Sequence, residues 1–164
     1  MTATNDDEFI ARTPARLAQL ESAAEFFSDL VRRLQEHRPA WHWVGVYLLV
    51  GDILRLGPFV GAPTEHAAIP VGTVCGTAVA RDTTIIVDDV RAESNYLACS
   101  IGTRSEIVVL IRDSGEVVGQ FDIDSDNLAE FSSVDAEFLQ RLAAVTAPVC
   151  RALRDQIALE NGAA

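Results

Sequence analysis

Apolar residues recur along this chain with two different periods, and the switches between them divide it into helix, sheet and helix. Leu17, Leu20, Phe27, Val31 and Leu34 share one face of a 3.6-residue repeat, which predicts a helix over about 14–36, capped by Thr13 and opened by Pro14. Pro39 closes that region. Residues 41–50 and 53–60 are rich in β-branched and aromatic side chains and flank Gly51-Asp52, so they predict an antiparallel hairpin. The stretch 61–73, with Pro63, Pro70 and Gly72, is predicted as loop, and Thr73 could cap a short helix over 74–80. A short strand over 83–87 precedes a long polar loop, 88–104. A second hairpin follows, 105–112 and 117–124 around Ser114-Gly115. Helical spacing returns with Val134, Phe138, Leu142, Val145, Val149 and Leu153 behind a Ser132/Asp135 capping box. This last helix is predicted over 133–157, kinked or broken near Ala147 because Pro148 lacks a backbone donor. The sum is an α+β fold, a mainly antiparallel sheet with helices at both ends of the chain.

With 164 residues, one domain is expected, over 13–158, behind a flexible, solvated acidic tail of residues 1–12. A formal net charge of −11 argues against nucleic acid or an anionic membrane surface as partner, since both would be repelled. Every basic residue among the 13 is Arg, which removes Schiff-base chemistry and a phosphate-loop lysine. The longest apolar stretch, Trp43 to Val50, is far short of the roughly 18–20 residues that span a bilayer. The acidic N-terminus does not read as a secretory signal, so a cytoplasmic location is expected. In a reducing compartment, cysteines are more often catalytic or metal-binding than structural.

The candidate chemistry is thiol beside carboxylate. Cys75 and Cys99 lie in turn-rich settings, not in apolar runs, and Glu106, Asp122 and Asp124 follow closely. Cys75, in the first turn of the predicted short helix, would feel the positive end of the helix dipole, which favours a thiolate. Cys99 has Arg91 and Arg104 near in sequence. Either cysteine could instead be packed and inert. Cys150 falls on the apolar stripe of the last helix and is read as core. Alternation puts Asp122 and Asp124 on one face of their strand, either as ordinary solvated charges opposite a core-facing Ile123 or as carboxylates of a pocket that could bind an ammonium and donate a proton. His37, His42 and His66 are dispersed, and no spacing matches a zinc site, a dinucleotide fingerprint or a nucleophile elbow.

The strings Trp43-Val44-Gly45-Val46-Tyr47-Leu48, Leu56-Gly57-Pro58-Phe59, Ile69-Pro70-Val71-Gly72, Val74-Cys75-Gly76-Thr77-Ala78, Ala98-Cys99, Ser105-Glu106-Ile107-Val108 and Asp122-Ile123-Asp124-Ser125 resemble the free methionine-(R)-sulfoxide reductase family. Members of that family are single GAF domains. The resemblance implies a cycle in which Cys99 attacks the sulfoxide sulfur, Cys75 resolves the sulfenic acid as a disulfide, and thioredoxin reduces that disulfide. It further implies that Glu106, Asp122 and Asp124 bind the substrate and assist loss of its oxygen and that Trp43 walls the methyl-sulfur end. No cofactor or metal is expected. His66 stands where many members carry a third cysteine, and Tyr96-Leu97-Ala98-Cys99-Ser100 departs from the family's His-Ile-Ala-Cys-Asp. The alternative is a noncatalytic GAF module that binds a small molecule as a sensor. Apolar stripes on the terminal helices could also pair two copies as a homodimer.

Overall fold

The computed structural model describes residues 2–72, 76–93 and 102–162. At its centre six antiparallel strands pair in the order β3-β2-β1-β6-β5-β4: β1 (Trp43–Val50), β2 (Ile53–Val60), β3 (Ala68–Pro70), β4 (Ile85–Val87), β5 (Ser105–Asp113) and β6 (Glu116–Ser125). Both predicted hairpins form. Val50 pairs with Ile53 across Gly51, and Asp113 pairs with Glu116 across Ser114-Gly115. Ser114 and Gly115 both take positive φ, 53° and 84°, the backbone whose twist matches the flanking strands in a two-residue turn. β3 lies inside the stretch predicted as loop; it pairs through Arg55↔Ala68, Leu54↔Ile69 and Ile53↔Pro70.

Among the described residues four α-helices frame the sheet: α1 (Thr2–Leu17), α2 (Ala23–His37), α3 (Thr77–Arg81) and α4 (Ser133–Glu160). α2 and α4 cover one sheet face. Phe26, Phe27, Leu30, Phe138, Leu139 and Leu142 pack there with Val44, Val46, Ile107, Val109, Phe121 and Ile123 in the main core. α4 carries the predicted capping box, with Asp135 accepting from the Ser132 backbone. It runs unbroken through Pro148. The carbonyl that Pro148 frees, on Ala144, lies on an exposed part of the helix, where water can satisfy it, and Thr146 Oγ1 donates back to Leu142 O one turn earlier.

The N-terminal region differs from expectation. Residues predicted as tail form the first turns of α1, with Phe9 and Ile10 buried against the core. Asp6 is buried and accepts from Arg38 at 2.6 and 2.8 Å and pairs with His37 Nε2 at 2.7 Å. A single helix over 14–36 is also not formed. α1 ends at Leu17, and Ser22 caps a new helix by accepting from Glu25 N at 3.1 Å. Pro14 lies inside α1, where Thr13 Oγ1 donates to Phe9 O. Among the described residues no helix is long and apolar enough to cross a membrane.

Candidate active site

Strand alternation sends every second residue of β1, β5 and β6 away from the helical core, to the opposite face of the sheet. Register then assembles those residues into rows. Trp43 lies opposite Asp124, which lies opposite Glu106; in the next row Gly45 faces Asp122, and Asp122 faces Val108; in the third, Tyr47 faces Gln120 and Gln120 faces Leu110. An aromatic edge, an acidic middle and an aliphatic edge result.

The aromatic edge is fixed by its polar ends. Trp43 Nε1 donates to Ala62 O at 3.0 Å and Tyr47 Oη donates to His66 O at 2.9 Å. Phe59 stacks on the Trp43 ring with centroids 5.4 Å apart. The indole lies across Gly45, where an added Cβ would stand 2.4 Å from Trp43 Cη2. Only a hydrogen fits there. On the aliphatic side, Ala78 of α3 packs on Val108 and Leu110.

Between the edges, Glu106, Asp122 and Asp124 are 3%, 0% and 1% exposed, so the solvated-charge alternative does not hold. Their oxygens lie within 4.8 Å of one another. Burial raises the Asp122 carboxyl to about 7; the hydrogen bond with Glu106 opposes the rise and the charge of Asp124 adds to it. Thr103 Oγ1, itself buried, donates to Asp124 Oδ2 at 3.2 Å. Three oxygens so close could gather a small cation. With one carboxyl protonated near neutrality, the group has fewer anionic oxygens than a divalent ion demands, while its remaining acceptor oxygens can take the hydrogens of an ammonium.

The end of β6 is anchored independently of the acids. Ser125 Oγ donates to Ala40 O at 2.7 Å, Ser105 Oγ donates to Asn127 O at 2.6 Å, and Asp126 N donates to His42 Nδ1 at 2.9 Å. These bonds hold the acidic strand rigidly against β1 and β5.

The GAF domain family matches residues 22–148. This chain belongs to it. Among relatives, the GAF domain is 40% identical over 104 residues to the free methionine-R-sulfoxide reductase of Escherichia coli strain K12, covering 63% of this chain and 62% of that protein. It is 36% identical over 137 residues to Protein YtsP of Bacillus subtilis strain 168, covering 77% and 83%. The matched part thus spans somewhat under two thirds of the E. coli protein. Among solved structures, the free methionine-R-sulfoxide reductase of Neisseria meningitidis in complex with its substrate superposes with TM-score 0.84 at 34% identity, over 95% of this chain and 94% of that one. The Staphylococcus aureus fRMsr in its substrate complex gives 0.79 at 31% identity, over 89% and 95%.

Of the residues singled out in the sequence, Trp43, Glu106, Asp122 and Asp124 converge on one face of this GAF domain. Cys75 and Cys99 lie outside the described residues, as does the Thr73 cap. Cys150 is fully buried on α4, and burial pushes its thiol up to about 12, in keeping with a core role. Tyr47, Gln120 and Thr103 were not anticipated. Trp43 was named through the family resemblance, and the period-2 rule applied from it places Tyr47, four residues on, on the same face, so that signal was present. Thr103 precedes its strand, and no local pattern marks it.

Proposed function

We propose that this GAF domain reduces free L-methionine-(R)-sulfoxide to methionine. The observation that carries the reading is the buried group Glu106, Asp122 and Asp124, with oxygens within 4.8 Å, lying beside Trp43 on the sheet face away from the core. The names of the E. coli and N. meningitidis proteins support the same reaction.

In the proposed cycle the Cys99 thiolate attacks the sulfoxide sulfur and a proton is delivered to the sulfoxide oxygen, for which the Asp122 carboxyl is suited near neutral pH. The S–O bond to methionine breaks and the oxygen ends on Cys99 as a sulfenic acid. Methionine sulfur gains the two electrons that the cysteine sulfur loses. The Cys75 thiol then displaces that oxygen as water and closes a disulfide, and a thioredoxin dithiol reduces it by exchange. The cysteine roles and the reductant are inferred from the family resemblance.

Selectivity for the free amino acid follows from charge. Buried carboxylates can pair with the substrate ammonium, which a peptide-bound methionine lacks; leaving them unpaired costs about 1–3 kcal/mol or more. A cytoplasmic setting fits a thioredoxin-linked cycle.

The test is thioredoxin-coupled turnover with the free (R) epimer, the free (S) epimer and a peptide-bound sulfoxide. Turnover with the free (R) epimer alone is expected, abolished in Cys99→Ser and confined to a single turnover in Cys75→Ser. Silence with all three sulfoxides would instead favour a ligand-binding GAF module.

A further inference from the structure

Thr103 lies outside the strand that carries Glu106, yet its hydroxyl reaches the acidic row. Its backbone neighbourhood is fixed from two sides: Arg104 N donates to Ser125 O at 2.8 Å, and Val90 N donates to Arg104 O at 2.8 Å. The first of these bonds extends the β5–β6 ladder by one residue beyond Ser105↔Ser125, and the second ties Arg104 to the segment that follows β4. The extension is what brings a buried hydroxyl within 3.2 Å of Asp124 Oδ2. Next to it, a Cβ on Gly102 would come 3.1 Å from Asp126 Oδ1, so the chain enters this position through a gap that leaves little room for a different approach.

We propose that Thr103 is a positioning residue of the site: its O–H, held by the ladder extension, fixes the orientation of the Asp124 carboxylate and favours its charged form, so that Asp124 serves as ammonium acceptor and Asp122 as proton carrier. Among the described residues, Glu106 from β5 and Asp122 from its own strand each bring a carboxylate oxygen within 4.8 Å of one on Asp124, while β1 presents the uncharged Trp43. Three neighbouring acids share a small volume, and burial already sets Asp122 apart as the one whose carboxyl is raised. A hydrogen bond to its charged form is what distinguishes Asp124. Because Thr103 donates to Asp124, its influence runs through Asp124.

This assignment rests on the reductase reading, and its test separates the two. Thr103→Val keeps the shape and removes the donor; Thr103→Ser restores it. For Thr103→Val the expected result is a rise of about tenfold in KM for the free (R)-sulfoxide, a smaller change in kcat, and an acid limb of kcat/KM displaced to higher pH, with Thr103→Ser close to the parent. A merely structural role would lower kcat and leave the profile in place. In parallel, carbon-detected NMR of the Asp carboxyls, assigned with Asp122→Asn and Asp124→Asn, is expected to show Asp124 titrating at higher pH in Thr103→Val than in the parent. An active parent with unmoved KM, profile and carboxyl titration in Thr103→Val overturns the role of Thr103 alone. A parent inactive on every sulfoxide overturns the reductase reading, and the carboxyl titration still decides whether Thr103 governs Asp124.

Discussion

The two faces of the central sheet are built by alternate residues of the same strands, and both are buried, yet they differ in what burial costs. On the helical face, Val44, Val46, Ile107, Val109, Phe121 and Ile123 lose only apolar surface to the core, which stabilises the fold by roughly 25 cal/mol per Å². On the other face, Glu106, Asp122, Asp124 and Gln120 are equally hidden, and each buried carboxyl costs desolvation that its neighbours repay only in part. Asp122 and Phe121 are adjacent in sequence and opposite in effect. The comparison teaches that one strand pair holds the fold together with one face and holds an unfavourable, reactive group in place with the other.

Removing the ring at Phe121 should break the stabilising side. Phe121→Ala is expected to cost about 3–5 kcal/mol, read as a lowered denaturant midpoint with unchanged m-value.

Asp122→Asn should have the opposite sign. The folded carboxyl titrates near 7 and the unfolded one near 3.9, so between those values the folded state holds the extra proton. The stability contributed by this group is therefore fully present below about pH 4 and is lost as pH rises through 7, on the order of 4 kcal/mol at most. The amide cannot ionise and should flatten that decline, leaving the variant more stable than the parent at pH 8 while turnover falls about 100-fold or more. A parent whose stability rises from pH 5 to 8 while that of Asp122→Asn does not would contradict the burial cost assigned to Asp122.

The smallest effect should come from the thiol on the core side. Cys150, with its thiol pushed up to about 12, should resist alkylation at pH 8 in the folded protein, by mass spectrometry. Cys150→Ala should cost about 1 kcal/mol and leave turnover nearly intact.

What could be read from the sequence followed the range of the forces involved. The β1–β2 and β5–β6 hairpins were legible because alternation and turn chemistry are local. The capping box at Ser132 and Asp135 was legible for the same reason. The first helix was not, since Asp6, Asp7 and Glu8 give the segment a solvated look while the partners that bury Asp6, His37 and Arg38, lie about thirty residues on. Leu17 and Leu20 continued a helical spacing across the break that Ser22 ends, so two helices read as one. At the site, alternation placed Asp122 and Asp124 on one face, but nothing local says what covers that face. The covering groups, Trp43 from β1 and Ala78 from α3, come from distant parts of the chain. Thr103 was invisible because its hydroxyl meets Asp124 only where Arg104 N donates to Ser125 O, a contact made only in three dimensions.

Gly45 supplies no functional group, yet the plane of the Trp43 indole exists because that position is vacant. For anyone reshaping this site, a single hydrogen atom is therefore the most restrictive design parameter on its aromatic side. Libraries that vary the acids and the indole but hold residue 45 constant will explore new chemistry on an intact wall, whereas varying residue 45 first would tilt the wall and confound every other change.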